Sequence, residues 1–213
     1  MYKLDEKNLE LQECVVKMSQ RVAKMFHLAN TCLVTGDVDL ALKIIKQDEF
    51  VNAAEEEVNE LAINTLALLS PVAKDLRVAI TAIKIANELE RIGDYAKSVA
   101  SYVIRNGKLI SDYSEISTRL CDQILTMLDN VMVAYVKADV ELAYEIPQED
   151  DTIDAYFNEA TKLLKLSIEN QEDIDLIIPM IAIMRNLERA GDHIVNICED
   201  IVYQNKGFLI ELA

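Results

Sequence analysis

Two copies of one six-residue motif carry the side chains in this sequence that are best suited to chemistry. The first copy, Leu-Glu-Arg-Ile-Gly-Asp, ends at Asp94, and the second, Leu-Glu-Arg-Ala-Gly-Asp, ends at Asp192. On an α-helix the four-residue spacing places the carboxylates of Glu90 and Asp94 on one face, and does the same for Glu188 and Asp192. Two like charges at this spacing destabilise an isolated helix by roughly 0.2–0.5 kcal/mol, and a buried unpaired carboxylate costs more. Each copy therefore requires a compensating positive charge.

A neighbouring Lys or Arg could supply that charge, and so could a metal ion. Salt bridging is the ordinary explanation for a single Glu-x-x-x-Asp pair, but the repetition of the pair weakens it. The residues before the acids on the same helix face are apolar, and no equally aligned basic stripe accompanies them. Oxygen ligands without cysteine suit hard or oxophilic cations such as Mg²⁺, Ca²⁺, Mn²⁺ or iron. We therefore favour a metal site over plain salt bridging.

The elements that position these acids are predicted to be long helices. The chain is 51% hydrophobic but contains only five glycines and three prolines, too few turn residues for a many-stranded β protein. Apolar residues recur at helical spacing, which predicts an all-α fold. The helices predicted in the first half run from Leu4 to about Leu33, over Val38–Ile45 with Asp37 or Asp39 as cap, from Asp48 to Leu69, and from Val72 to Arg105 after an N-cap at Ser70-Pro71.

The second half is predicted to repeat this plan. Its helices run from about Tyr113 to Lys137, from near Asp139 with a kink or break at Pro147, and through the second motif to Tyr203. The 98-residue period divides the chain into residues 1–107 and 108–213. We expect two tandem, pseudo-symmetric three-helix bundles, packed either end to end or side by side. The motif glycines, Gly93 and Gly191, indicate a close approach to the backbone, by another helix or by a ligand.

The charge and the termini exclude several classes of protein. A formal net charge of −16 argues against nucleic-acid binding, which depends on clustered Lys and Arg. Most of the negative excess follows residue 107, so the first half is the better candidate for approaching an anionic membrane or an acidic partner. The N-terminus lacks a signal-peptide pattern, and no apolar run approaches the roughly 18 residues of a membrane helix. We expect a cytoplasmic protein.

Four stretches together resemble the PhoU family of phosphate-uptake regulators. They are the two motifs, Leu89–Asp94 and Leu187–Asp192, the stretch Ser-Pro-Val-Ala-Lys-Asp-Leu-Arg at Ser70–Arg77, and Gly-Asp-Val-Asp-Leu-Ala at Gly36–Ala41. The resemblance implies tandem three-helix bundles and a cytoplasmic negative regulator of phosphate uptake and starvation signalling. Its implied partners are a phosphate ABC transporter and a phosphate-sensing histidine kinase, with approach to the membrane through those partners and a homodimer as one assembly.

The resemblance also implies two carboxylate metal clusters, with iron, zinc, magnesium or manganese as the ion. The first repeat departs from the second at three positions, where Tyr95, Ser98 and Ser101 stand against His193, Asn196 and Glu199. These departures predict weaker binding or fewer ions in the first cluster. The implied ligands are Glu90 and Asp94 with Asp48 opposite in the first cluster, and Glu188 and Asp192 with Asp150 and Asp154 opposite in the second.

Two other functions compete with a non-enzymatic regulator. A helical-bundle carboxylate metalloenzyme usually takes two Glu-x-x-His ligand pairs from the bundle interior. His27 and His193 are the only histidines, and they do not complete two such pairs. A metal-free structural adaptor is the other alternative, and the metal content of the purified protein would distinguish it.

Overall fold

The helices cover most of the chain in the computed structural model, which describes residues 2–170 and 174–212. Within these residues the secondary structure is helical and contains no strand, which confirms the predicted all-α class. The helical segments are α1 (Tyr2–Thr35), α2 (Val38–Leu69), α3 (Lys74–Asn106), α4 (Ser111–Lys137), α5 (Val140–Glu145), α6 (Pro147–Glu169) and α7 (Ile174–Lys206).

Proline and aspartate set the boundaries in the second half much as the sequence predicts. Asp139 caps α5 by accepting a hydrogen bond from the Leu142 amide. Pro147 begins α6 directly after α5, so the two segments form one interrupted helix. Pro179 lies inside α7, near its start. Counted this way, the described residues form the expected six helices in two triplets.

Two boundaries predicted for the first half are wrong. Asp48 does not begin a helix, because α2 runs unbroken from Asp37, which caps it through the amides of Asp39 and Leu40. No glycine or proline interrupts this stretch, and Asp48 lies on the buried face of the helix.

Ser70-Pro71 does not cap α3. Ser70 instead ends α2 in the left-handed conformation, with φ 45° and ψ 54°. The residue before a proline is disfavoured in the right-handed helical conformation, so α2 stops there. The α3 helix begins only at Lys74, after Ala73 at φ 48° and without a side-chain cap.

The two triplets pack side by side, which resolves the alternative that the sequence leaves open. Helix α3 contacts α7, and α1 contacts α4. The α3–α7 pair runs antiparallel, because Arg77 reaches Gln204 at one end of the interface and Tyr95 reaches His193 further along. The buried apolar residues of both halves form one continuous cluster. The division of the chain at Gly107, which follows the last residue of α3, stays a prediction.

Candidate metal centre

The two motifs lie in the middle of the α3–α7 interface. Tyr95 and His193 occupy equivalent positions, 98 residues apart, and their side chains contact each other with 3.1 Å between Tyr95 Oη and His193 Nε2. Contact between equivalent residues is what a pseudo-twofold axis between two repeats requires. The acids of the first motif lie near Asp48 of α2 and those of the second lie near Asp154 of α6, so each carboxylate cluster forms with a different helix.

In the first cluster, a lysine pairs with two of the three acids. Lys97 Nζ lies 2.6 Å from Asp48 Oδ2 on α2 and 3.6 Å from Asp94 Oδ1 on α3. The Asp48 side chain is only 5% exposed, so this ammonium group neutralises a buried charge. The structure thus brings Asp48, Glu90 and Asp94 to one region, as expected, with a cation of the chain among them.

An arginine also contacts the first cluster. Arg91 Nε lies 3.6 Å from Glu90 Oε2, and Arg91 Nη1 lies 3.8 Å from Asp94 Oδ2. Burial, followed by repulsion from Asp94, nevertheless raises the pKa of Glu90. These exposed arginine contacts are therefore weaker compensation than the Asp48–Lys97 pair.

No lysine of the described residues pairs with an acid of the second cluster. Burial, together with the charges of Asp192, Asp154 and Glu188, raises the pKa of Asp150 to about 7. Burial is also the largest cause of the raised pKa values of Glu188 and Asp192, and the charge of Asp154 raises both further. The charges of Arg185 and Arg189 act in the opposite direction on both groups without cancelling the rise. All four acids expected in this cluster thus lie close enough to repel one another.

Two carboxylate oxygens in the second cluster are left without partners. Asp150 Oδ1 and Glu188 Oε2 are buried and accept no hydrogen bond from any described residue. Arg189, the counterpart of Arg91, lies over the Tyr95 ring at 5.5 Å instead of pairing with an acid of its own motif. Burying a carboxylate without a hydrogen-bond donor costs free energy, so this arrangement fits a site that a bound cation would stabilise.

The two motif glycines make room for different groups. A Cβ at Gly93 would lie 3.3 Å from Val51 Cγ1, so this glycine permits close packing of α2 on α3. A Cβ at Gly191 would overlap Asp150 Oδ1 and lie 2.8 Å from Ile153 Cδ1. Close packing of two helices alone thus does not explain the second glycine, because Gly191 admits an acidic side chain of the cluster.

The fit of a metal ion differs between the clusters. Among the described residues, no three His, Cys, Asp or Glu side chains converge on one point as ligands would. Binding therefore requires the carboxylates to change rotamer. The second cluster has buried carboxylate oxygens that accept no hydrogen bond from the described residues and suit a hard cation, whereas in the first cluster Lys97 already lies between Asp48 and Asp94.

Sequence reasoning missed Lys97 and a polar network across the pseudo-twofold axis. Lys97 follows Asp94 by three positions and has Val195 as its counterpart, so comparing the repeats could have found it. In the network, Glu88 Oε2 lies 2.6 Å from His193 Nδ1 and accepts a hydrogen bond from Asn196. No pattern within one helix predicts this network, because its members come from α3 and α7.

Comparison with known proteins reveals close relatives along the whole chain. The PhoU domain model matches twice, over residues 15–103 and 117–201. A phosphate-specific transport system accessory protein PhoU homolog from Clostridium acetobutylicum is 28% identical, over 99% of this chain and 98% of that protein. The homolog from Pseudomonas putida is 33% identical, over 94% of this chain and 80% of that protein.

Solved structures agree with these matches. The crystal structure of the phosphate transport system regulatory protein PhoU from Streptococcus pneumoniae superposes with a TM-score of 0.91 at 28% identity, covering 98% of this chain and 100% of that one. PhoU from Pseudomonas aeruginosa superposes with a TM-score of 0.88 at 27% identity, covering 96% and 99%. No helix in the described ranges combines the length and apolar character needed to cross a membrane.

Proposed function

Because the chain belongs to the PhoU family, we propose that it is a negative regulator of phosphate uptake and of phosphate-starvation signalling. The observation that carries this proposal is the double match to the PhoU domain, together with relatives of nearly the same length that are named accessory proteins of the phosphate-specific transport system. It acts in the cytoplasm, where its partners are a phosphate ABC transporter and a phosphate-sensing histidine kinase. Its role is to bind proteins rather than to catalyse a reaction.

We further propose that the protein binds a metal ion through carboxylates. The second cluster supports this proposal, because Asp150, Asp154, Glu188 and Asp192 repel one another and two of their oxygens are buried without donors. A hard cation such as Mg²⁺, Mn²⁺ or iron would supply the missing positive charge, and zinc is a further candidate. Bound there, the ion would hold α6 against α7 and so stabilise the surface offered to partners.

Deleting the gene tests the regulatory role. In phosphate-replete medium the deletion strain should express a phosphate-starvation reporter at a raised level, and the wild-type chain supplied on a plasmid should restore repression. Unchanged reporter expression and unchanged phosphate uptake in the deletion strain would contradict the proposal.

The same strain tests whether the second cluster contributes. The double variant Asp150→Asn/Asp192→Asn should restore repression less well than the wild type at equal protein level. Glu141→Gln, which neutralises an exposed acid of α5, is the matched control and should restore it fully. Full repression by the double variant would show that regulation does not depend on the second cluster.

A further inference from the structure

The two repeats differ at the position of Lys97, three residues after the motif, where only the first repeat has a charged side chain. In the first repeat, Lys97 Nζ bridges Asp48 of α2 and Asp94 of α3, at 2.6 Å and 3.6 Å. In the second repeat the equivalent position is Val195, which is 1% exposed and packs in the apolar core. Among the described residues, the motif thus occurs once with a lysine that pairs with the acid opposite it and once without such a lysine.

The acids opposite each motif reflect this difference. Asp48 is 5% exposed and is held by Lys97. Asp150, its counterpart opposite the second motif, has a buried oxygen that accepts no hydrogen bond from the described residues. Both acids lie opposite a helix that carries the motif, so the lysine distinguishes the two environments.

An ammonium group and a metal ion compete for the same place in the first cluster. Lys97 is covalently attached, so its local concentration around the acids is high and binding it costs no dehydration of a divalent ion. A metal ion at Asp48 and Asp94 would have to displace the Lys97 ammonium and would then repel it at short range. In the second cluster the charges of Arg185 and Arg189 act on Glu188 and Asp192, but among the described residues no cation holds Asp150, whose Oδ1 has no hydrogen-bond partner.

We infer that Lys97 is a built-in counter-ion that closes the first cluster to metal, so that the chain takes a hard cation only at its second cluster. The inference rests on the metal-binding part of the proposed function and specifies which repeat binds. It makes the two halves unequal: α2 is fixed to α3 at any metal concentration, whereas the attachment of α6 to α7 responds to the ion. Lys97 is a specificity-determining residue, because it decides which copy of the motif remains open.

Manganese binding to the full chain tests this assignment. The protein is stripped with chelator and titrated with Mn²⁺, and bound ion is measured by equilibrium dialysis and by electron paramagnetic resonance. Asp150→Asn/Asp192→Asn should abolish the specific binding of the wild type, whereas Asp94→Asn should leave it within twofold. Lys97→Met should add a second class of bound Mn²⁺, and Lys24→Met, which removes an exposed lysine, should not.

Each outcome decides between the alternatives. If Asp94→Asn lowers the Mn²⁺ stoichiometry of the wild type, or if Lys97→Met adds no ion, the inference is wrong while the metal-binding proposal stands. If the wild type binds no Mn²⁺, Mg²⁺, Fe²⁺ or Zn²⁺, both are wrong, and the regulatory role is still judged by the deletion strain. The comparison of Asp94→Asn with the double variant stays decisive should Lys97→Met fail to fold.

Discussion

The two motif glycines, Gly93 and Gly191, occupy the same position of the motif but contact different side chains. Replacing Gly93 by alanine gains about 0.5–1 kcal/mol of helix propensity and brings the new Cβ to 3.3 Å from Val51 Cγ1. We expect Gly93→Ala to stay within about 0.5 kcal/mol of the wild type, because the two effects oppose each other. Gly191→Ala should destabilise by about 1–3 kcal/mol, because its Cβ must displace both Asp150 and Ile153.

Chemical denaturation of the two variants measures this difference directly. Each serves as the control for the other, since the substitution and the motif are the same. A Gly191→Ala protein as stable as Gly93→Ala would show that Asp150 moves away at no cost, and the cluster would then be looser than the structure indicates.

Residue-scale features were predictable where one helix determines them. Spacing alone placed Glu188 and Asp192 on one face and Glu90 and Asp94 on another, whereas Asp48, Asp150 and Asp154 were implied by the family resemblance. The balance of charge was not predictable from the motif itself, because Lys97 lies outside the motif on α3 and pairs with an acid that α2 supplies. Lys97 pairs with Asp48 across 49 positions of sequence, and only the fold makes them neighbours.

Helices α3 and α7 are joined by several polar side-chain contacts along their length. Near one end, Lys84 forms an ion pair with Asp200, whose side chain is 6% exposed, while the lysine side chain is 45% exposed. Arg77 donates a hydrogen bond to the Gln204 carbonyl one turn further on. The interface between the repeats therefore contains a buried carboxylate whose charge is stabilised by a half-exposed lysine.

Removing either partner of this ion pair should have unequal effects. Lys84→Met leaves the buried Asp200 carboxylate unpaired and should cost on the order of 2 kcal/mol, less than the about 3–5 kcal/mol of a fully buried pair. Asp200→Asn leaves a lysine that can return to solvent, so the loss should be about 1 kcal/mol or less. Denaturation at pH 8 measures both, and equal losses would contradict the assigned burial.

The same pair predicts a dependence on pH. Burial raises the pKa of Asp200, although Lys84 acts to lower it. When the pKa of an acid is higher in the folded state than in the unfolded state, the acid stabilises the fold at pH values below its unfolded-state pKa. That stability is lost as the pH rises through the folded-state pKa. Without Lys84 this loss of stability at high pH is larger. The difference in free energy of unfolding between the wild type and Lys84→Met should therefore shrink as pH falls from about 8 to about 5. A deficit that is constant with pH would exclude Asp200 as its source.

Element boundaries were predictable where a terminating or capping residue lies at the helix end. Asp139, Pro147 and Gly107 mark boundaries that the structure contains. The expected start at Ser70-Pro71 failed because a serine before proline can also end the preceding helix. The expected break before Asp48 failed because a buried acid within a helix resembles a cap when its partner, Lys97, is unknown.

At the scale of the whole molecule, the sequence predicted two repeats but not their arrangement. Periodicity reports which face of each helix is buried and does not report which helix covers it. The side-by-side packing places α3 between the two repeats, where it contacts α7 as well as α1 and α2. One continuous apolar cluster results, and it includes Leu89 of the first repeat and Leu187 of the second.

This shared core predicts that the two repeats unfold as one cooperative unit. Leu120→Ala in α4 creates a cavity at a fully buried site and should cost about 2–5 kcal/mol. If the core is shared, that loss should appear equally in the slowest-exchanging amides of α2 in the first repeat and of α7 in the second. Leu166→Ala, at a side chain that is 54% exposed, is the matched control and should leave both sets of amides unchanged. Hydrogen exchange that accelerates only in the second repeat, or calorimetry that resolves two transitions, would show that the halves unfold independently despite their contact.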